Sequence, residues 1–255
     1  MSLVEDLVEP HWYRGTGESS YDLTPGLYRH PVENSIDKLL DIESNIMKRF
    51  KQRSLPYLES PLRMEDDLDT MFLMQHYGVP TRLLDWTESP YIALFFAVSS
   101  APYDKQADGS RLYTKDAAVW VLNPDSWNNK ALGMAVPQGV ITPPDSKTMS
   151  AWMPEDISKY GMPDPIAIYG NYNSVRIVAQ RGVFTLAGKS VEPMNKIYES
   201  ENKYDNDVLM RLDIPSANIG DMINTLTSTG ITDSVIYPDL GGLATELKRN
   251  FNYWC

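Results

Sequence analysis

The chain has 255 residues, of which 42% are hydrophobic and 22% charged, a composition that suits one globular domain closed around a single core. Its net charge of −11 opposes broad, non-specific binding to the phosphate backbone of DNA or RNA, although it allows a local basic site. A single cysteine excludes an internal disulfide, three scattered histidines predict no metal site, and the longest apolar stretch, residues 91–98, is too short to cross a bilayer.

Three helices are predicted in the first hundred residues. Apolar side chains recur at helical spacing over 32–53 and over 64–77. Gly78 is predicted to end the second of these helices as a left-handed cap. Thr87 is predicted to cap a third helix over 88–99, whose apolar residues predict a buried face.

The periodicity then changes to short runs of β-forming residues. These predicted strands cover 117–122, 166–169, 174–179, 183–187 and 208–214. The dipeptide Arg181-Gly182 is predicted to join two of them in a hairpin.

The C-terminal part of the chain is predicted to hold two more helices with a strand between them. The helices cover 216–228 and 243–251, and the strand covers 234–237. Helices followed by mostly antiparallel strands predict an α+β fold in one domain spanning 1–255. Within it, the stretch 123–164 is rich in proline, glycine and serine, and is predicted to be a loop-rich insertion.

The densest run of polar and aromatic residues is QHYGVPTRLLDWT, residues 75–87. It is predicted to gather side chains around one helix N-terminus, where free backbone N–H groups favour an anion. The side chains so placed are His76, Thr81, Arg82, Asp85 and Trp86. The alternative is purely local: Asp85 pairs with Arg82, Thr87 caps a helix and Trp86 fills the core. Spacing alone leaves both interpretations open.

Two arginines near the N-terminus are further candidates for binding an anion. Arg14 is followed by Gly15 and Gly17, which allow a backbone to approach a ligand closely. Arg29 lies in an apolar and aromatic stretch. Because buried arginine needs a partner, each requires a ligand anion or a carboxylate such as Glu43 or Asp85. Glu43, on the inner side of the first helix, is itself predicted to face the core as the partner of an arginine.

A third polar set falls on the predicted strand 174–179 and the residue after it. Strand alternation would place Arg176, Val178 and Gln180 on one face, which opens either to solvent or to a pocket. Further along, Asp239 is predicted to cap the last helix.

Together these motifs resemble the FRG-domain family, whose name refers to Phe-Arg-Gly. The resemblance rests on Tyr-Arg-Gly at 13–15, on LTPGLYR at 23–29 and above all on residues 75–87. It extends to ALFFA at 93–97, to the block from Arg176 to Phe184 and to Pro238-Asp239, and covers roughly residues 10–245. Tyr13 stands where the family name has phenylalanine.

The family fold has been likened to the split sheet of ADP-ribosyltransferases, which cleave the nicotinamide bond of NAD and transfer ADP-ribose. The resemblance therefore implies N-terminal helices packed on a mostly antiparallel sheet, with NAD as co-substrate and no metal. It implies that Arg14-Gly15 cradles the nicotinamide ribose and amide, and that residues 85–97 form a strand followed by a helix.

One expected feature of such enzymes is missing from the sequence. The strand that usually bears the catalytic glutamate corresponds to the block from Arg176 to Phe184, and no Glu or Asp occurs between residues 174 and 186. Gln180 can form hydrogen bonds but carries no charge. Either Glu43 or Asp85 supplies the carboxylate from elsewhere, or catalysis is weak or lost.

The leading prediction is an NAD-dependent ADP-ribosyltransferase-like enzyme, acting as a toxin or a phage-defence effector. Arg14 and Arg82 would hold the diphosphate or ribose-amide end, and Trp86 and Tyr21 would stack on the ligand. The other predicted ligand contacts are Gly15, Arg29, His76, Thr81, Thr87 and Arg176. The alternative is a non-catalytic nucleotide-sensing or protein-interaction module that uses the same pocket. A nucleic-acid-processing enzyme is a third, weaker hypothesis, because the net charge opposes nucleic-acid binding.

The predicted partners are a nucleotide or dinucleotide and an acceptor macromolecule of unspecified class. No association with a membrane is predicted. The first thirty residues contain no apolar run, which predicts a cytoplasmic protein without a signal peptide.

Overall fold

The computed structural model describes residues 10–57, 66–133, 139–142, 149–154, 156–160, 162–171, 175–200, 203–251 and 253. The strands in these ranges are β1 Trp12–Thr16, β2 Leu83–Thr87, β3 Tyr103–Lys105, β4 Arg111–Tyr113, β5 Ala117–Leu122, β6 Ile166–Ile168, β7 Gly182–Leu186 and β8 Leu209–Ile214. The helices are α1 Ile36–Ser54, α2 Asp67–His76, α3 Pro90–Ser99, α4 Pro124–Leu132, α5 Ile157–Tyr160, α6 Val175–Gln180, α7 Met194–Ser200, α8 Ile219–Ser228, α9 Asp233–Ile236 and α10 Leu240–Asn250.

Six strands form one sheet in the order β6-β7-β2-β1-β5-β8, and each neighbouring pair is antiparallel. β3 and β4 form a separate two-stranded sheet. The predicted α+β class with a mostly antiparallel sheet is therefore confirmed.

The sheet is partly split between β1 and β2. Tyr13 and Thr87 are the one paired position between these two strands, whereas β1 pairs with β5, and β2 with β7, at five positions each. Beyond that position β1 and β2 diverge and leave a gap in the middle of the sheet.

Helices cover the face of the sheet that carries Tyr13, Asp85 and Phe184. On one side of the gap, Met71 and Phe72 of α2 pack with Phe184 and other residues of β7, β6 and β2. On the other side, α3 and α8 pack against β5 and β8. The opposite face holds a core rich in tryptophan, built from Trp12, Trp86, Trp120 and Trp127 with residues of α7 and β8. The packing of α2 and α3 on the sheet, with α1 against α2, confirms the expected position of the N-terminal helices.

The predicted helix ends are confirmed where capping chemistry fixes them. Gly78 has a φ of 74° directly after α2, as a left-handed cap requires. Asp239 accepts a hydrogen bond from the Gly242 N–H at the start of α10. Thr87, however, belongs to β2, and α3 begins at Pro90 after Ser89, so the predicted role of Thr87 as its N-cap is wrong by two residues.

Two segments predicted as strands are helices. Residues 175–180 form α6, which ends at Arg181 with a φ of 47°, so Arg181-Gly182 joins a helix to β7 and no hairpin forms there. Residues 233–236 form α9 in place of the strand predicted over 234–237. Short apolar runs do not distinguish the two periodicities, and tertiary contacts decide. Here Thr87 donates to the Gln180 carbonyl and the Gln180 amide donates to the Ile236 carbonyl, which ties both helices to the sheet.

The described parts of the predicted insertion 123–164 contain α4, α5 and a 3-10 turn at Ser150–Trp152. Trp127 and Trp152 are completely enclosed there. The single domain over 1–255 stays a prediction. None of the described helices combines the length and apolarity that a bilayer crossing requires.

Candidate functional site

A cleft of about 290 Å³ opens beside the gap between β1 and β2, with α2, α3 and α6 around it. Hereafter it is called the cleft. Its polar and charged lining comprises Arg14, Gln75, His76, Asp85, Thr87, Ser99, Ser100, Arg176 and Gln180. Its aromatic lining comprises Tyr13, Phe72, Trp86, Phe96, Phe184 and Tyr237. A concave site with apolar walls and a few converging polar groups is the usual form of a small-molecule site.

Arg14 reaches from β1 across the gap to β2. Its Nη1 donates to the Asp85 carbonyl oxygen at 2.5 Å and lies 4.0 Å from Asp85 Oδ2. Burial lowers the pKa of Arg14; Asp85 opposes this effect and the nearby charge of Arg29 adds to it. The guanidinium stays charged, because the ordinary pKa of arginine lies far above neutrality. A desolvated cation with one carboxylate at 4.0 Å is stabilised by a further anion.

Asp85 is the carboxylate among the residues that line the cleft, and its side chain is 56% exposed. Gln75 Nε2 donates to Asp85 Oδ2 at 2.7 Å. Thr81 Oγ1 donates to Gln75 Oε1 at 2.6 Å. Thr81 is itself fully buried, so it contributes to the cleft through Gln75 and not by contact with a ligand.

Arg176 and His76 form the far wall of the cleft. The Arg176 guanidinium lies 4.8 Å from the ring centroid of Tyr237. Among the described residues no carboxylate is within salt-bridge distance of Arg176. Burial lowers the pKa of His76, the charge of Arg176 lowers it further, and Asp239 opposes both. The lowered pKa favours the neutral form of His76, and Arg176 supplies the positive charge of this wall.

A second cavity, hereafter the groove, adjoins the cleft and shares Arg14, Gly15 and Ser100 with it. Arg29, Tyr21 and Asp22 also line the groove. Arg29 donates to the Thr24 carbonyl at 2.8 and 2.6 Å, and the Tyr21 hydroxyl donates to Glu18. Arg14 thus stands between two cavities, with Arg29 on one side and Arg176 on the other.

The structure removes Arg82 and Glu43 from the predicted site. Both side chains are 0% exposed, and Arg82 Nε lies 2.7 Å from Glu43 Oε2. Arg82 Nη1 and Nη2 donate to the carbonyls of Ala187 and Trp152. The prediction that Arg82 contacts the ligand is wrong, because its charge is satisfied inside the protein. The expectation that Glu43 faces the core as the partner of an arginine is confirmed, which leaves Asp85 as the carboxylate of this pair that lines the cleft.

Three other residues predicted to contact the ligand have structural roles. Trp86 is 3% exposed, and its indole N–H donates to Thr185, so it cannot stack on a ligand as predicted. Thr87 is also buried and holds Gln180 through a hydrogen bond. A Cβ on Gly15 would lie 2.0 Å from the Ala93 carbonyl oxygen of α3, so the packing of β1 on α3 requires glycine there, and Gly15 also lines both cavities.

Eight of the predicted site residues line the cleft: Arg14, Gly15, His76, Asp85, Trp86, Thr87, Arg176 and Gln180. Arg29 and Tyr21 line the groove instead. Sequence reasoning missed Gln75 and the aromatic walls. Gln75 stands at the start of the QHYG run, and Tyr237 directly precedes Pro238-Asp239, so both lay within motifs already noted. The described residues contain no group of three His, Cys, Asp or Glu side chains that would hold a metal ion.

The fold and the cleft together define an α+β protein with an arginine-containing cleft beside a split in its central sheet. The model of the FRG domain matches residues 9–106, which include β1, α1, α2, β2 and α3. Over this stretch the chain is similar to the FRG-domain family. Arg14, Gln75, His76 and Asp85 lie within the match, whereas Arg176, Gln180 and Tyr237 lie beyond it. No curated protein and no solved structure shows significant similarity to the chain.

Proposed function

We propose that the cleft and the groove bind an anionic, nucleotide-like ligand, and that the protein is an NAD-dependent ADP-ribosyltransferase-like enzyme of the toxin or phage-defence type. One observation carries the proposal: Arg14 and Arg176 face a single cleft against one carboxylate, Asp85. Two arginines against one carboxylate give the lining an excess of positive charge, without any contribution from His76, in a protein whose net charge is −11. Such a local excess favours a small anion over a polyanion.

The two connected cavities favour an elongated ligand. Arg14 lies at their junction, where a diphosphate would receive charge-assisted hydrogen bonds from it, with Arg29 close by. The aromatic walls of the cleft, including Phe96 and Tyr237, offer apolar contact for a nicotinamide ring or a base. A dinucleotide such as NAD combines these features.

In the proposed reaction, the bond between nicotinamide and the ribose anomeric carbon breaks, and nicotinamide leaves as a neutral molecule with the bonding electrons. A nucleophile of the acceptor then bonds to that carbon and loses its proton. Asp85 is the carboxylate placed to stabilise the positive charge that develops on the ribose, a contribution that is commonly worth about 3–4 kcal/mol per group. It would take the place of the missing glutamate.

A non-catalytic nucleotide-sensing or protein-interaction module is the second candidate. It is favoured by the absence of Glu and Asp between residues 174 and 186, and by the hydrogen bond from Gln75 to Asp85. This module would use the same arginines and bind ADP-ribose or NAD without turnover.

One experiment separates these functions. NAD and ADP-ribose are titrated calorimetrically, and free nicotinamide is followed by NMR, with a lysate added as a source of acceptors. Arg14→Ala and Arg176→Ala should each weaken binding about tenfold or more, because a hydrogen bond to a charged group contributes roughly 1.5–3 kcal/mol. Arg211→Ala is the matched control, since Arg211 is exposed and pairs with Asp213 on β8, outside both cavities.

Nicotinamide release by the wild-type protein would support the enzyme. Binding without release would support the sensing module. If neither ligand binds, or if Arg14→Ala and Arg176→Ala bind as the wild type does, the assigned site is wrong.

A further inference from the structure

We infer that a directional chain of hydrogen bonds, running from the β2 backbone through Thr81 and Gln75, holds the Asp85 carboxylate in the cleft as a hydrogen-bond acceptor. Gln75 and Thr81 are then positioning residues that act through Asp85. The functional consequence rests on the proposed ligand site, but the hydrogen-bond chain itself is a property of the free protein.

The chain has three links. The backbone N–H of Leu83 donates to Thr81 Oγ1 at 3.1 Å. Thr81 Oγ1 donates to Gln75 Oε1 at 2.6 Å, and Gln75 Nε2 donates to Asp85 Oδ2 at 2.7 Å. The three side chains come from the end of α2, the connection after it and the middle of β2. The motif QHYGVPTRLLDWT therefore folds back on itself so that its first residue contacts its eleventh.

The two ends of the hydrogen-bond chain, a backbone donor and a carboxylate acceptor, fix the direction of its links. A backbone N–H can only donate, so the Thr81 hydroxyl accepts there and has its own single proton to give to Gln75. The Gln75 oxygen accepts that proton, which leaves the Gln75 amide N–H directed at Asp85. Asp85 Oδ2 must then accept. A reversed amide would place its oxygen against Asp85 Oδ2, which would require a proton on the carboxyl group and would leave the Thr81 proton unused.

Burial fixes the hydrogen-bond chain at Thr81, whereas its other end, the Asp85 carboxylate, stays accessible from the cleft. Thr81 is 0% exposed, so water cannot replace its two hydrogen bonds. Gln75 is partly buried, and the Asp85 side chain is 56% exposed. Arg14 holds the same residue through its backbone carbonyl. The carboxylate is thus restrained from two sides while it faces the cleft, which suits a group that must meet a donor on a ligand.

The first test uses the free protein. The side-chain amide of Gln75 is observed by NMR, and one of its two protons should be shifted downfield and protected from exchange. Asp85→Ala should remove both features, and Thr81→Val should move the resonance because the amide loses the partner that fixes its direction. Thr81→Ser, which keeps the hydroxyl, should restore the wild-type spectrum. An amide resonance that is unchanged in Asp85→Ala and Thr81→Val would overturn the inference.

The second test measures ADP-ribose affinity in a double-mutant cycle. Thr81→Val and Gln75→Leu should each weaken binding about tenfold, whereas Thr81→Ser should stay within about twofold of the wild type. In an Asp85→Ala background, neither Thr81→Val nor Gln75→Leu should weaken binding further. Additive losses in that background would show that these residues only support the fold, and would overturn their positioning role.

Gln75→Leu provides a variant with an intact Thr81 anchor, should Thr81→Val fold poorly. If the wild-type protein does not bind ADP-ribose, the proposed ligand class fails, while the amide measurement in the free protein still decides whether the hydrogen-bond chain exists.

Discussion

Arg82 and Glu43 form an ion pair in which both side chains are 0% exposed, the most completely enclosed pair among the described residues. Arg82 uses its other donors on backbone carbonyls, and Glu43 Oε1 is buried without a hydrogen-bond partner in the described part of the chain. Removing one partner of such a pair leaves an uncompensated buried charge. Replacing both can be neutral, because the cost of desolvating two charges disappears with them.

We therefore expect Arg82→Met to lower the free energy of unfolding by about 3–5 kcal/mol, measured by urea denaturation. The double variant Arg82→Met/Glu43→Leu should recover most of that loss. Arg14→Ala is the comparison, since the partly exposed Arg14 lies 4.0 Å from its carboxylate and should cost far less stability. A loss below about 1 kcal/mol for Arg82→Met would contradict the structural role given to this pair.

His76 should respond to the ligand through its charge environment. Burial and the cation of Arg176 lower the pKa of His76 in the free protein, against the opposing charge of Asp239. An anion bound to Arg176 offsets that cation and raises the pKa of His76, so the complex takes up a proton. Affinity for ADP-ribose should therefore increase as the pH falls through the ordinary value of 6.5 toward the lower pKa of His76 in the free protein.

The His76 ring resonances, followed by NMR with and without ADP-ribose, measure this shift directly. His76→Gln should remove the pH dependence of affinity, and Arg176→Ala should raise the pKa of His76 in the free protein. An affinity that is independent of pH between 5.5 and 7.5 would show that the anion does not sit near this wall. Folding stability depends on pH in the opposite direction to affinity. Because the pKa of His76 is lower in the folded protein than in the unfolded one, stability is lost as the pH falls below about 6.5.

At the scale of elements, the contact between β1 and α3 sets the position of Arg14. A Cβ on Gly15 would lie 2.0 Å from the Ala93 carbonyl oxygen and 2.5 Å from the Ala97 nitrogen, both backbone atoms that cannot rotate away. Gly15→Ala must therefore separate the strand from the helix. We expect a loss of at least about 1–3 kcal/mol in unfolding free energy, with weakened ligand binding because Arg14 moves with β1.

Gly26→Ala is the matched control for this prediction. The nearest atom to a Cβ at Gly26 is 3.5 Å away, an ordinary contact, so this variant should keep nearly wild-type stability and binding. Equal thermal stability of the two variants would contradict the close approach of β1 and α3.

Elements that depend on local sequence were the ones that could be predicted. Sequence predicts features that depend on residues close together along the chain, namely the long amphipathic α1, the Gly78 cap and the Asp239 cap. The segment 175–180 was not predictable, since its six residues fit both periodicities and its hydrogen bonds go to Thr87 and Ile236, far away in sequence. Arg176 and Gln180 still share a face, but through the four-residue spacing of a helix, and Val178 turns outward.

The candidate site was predictable to a similar extent. Residue type pointed to Arg14, Asp85 and Arg176, which all line the cleft, because a charged side chain in an apolar context needs a partner. It could not distinguish Arg14 from Arg82, which are both arginines in such contexts. The distinction depends on whether a carboxylate reaches them in the folded protein: Glu43 lies 2.7 Å from Arg82, and Asp85 lies 4.0 Å from Arg14.

At the scale of the whole molecule, the net charge and the local charge of the cleft oppose each other. The net charge of −11 repels an anionic ligand at long range, whereas Arg14 and Arg176 attract it at contact distance. Salt acts on these two effects unequally, because the Debye length is about 10 Å at 0.1 M ionic strength and buried pairs are screened less than distant charges. Raising the ionic strength should therefore reduce the repulsion more than it reduces the attraction.

We accordingly expect the association rate of ADP-ribose, measured by stopped flow, to increase severalfold between about 10 and 100 mM salt. Proteins that steer anions through an extended basic surface show the reverse dependence. Arg176→Ala should keep this rise while dissociation becomes faster, because a contact made after encounter acts mainly on the dissociation rate. A steep fall in the wild-type association rate would mean that the positive field of the cleft extends beyond its opening, and that the acidic surface does not govern the approach of the ligand.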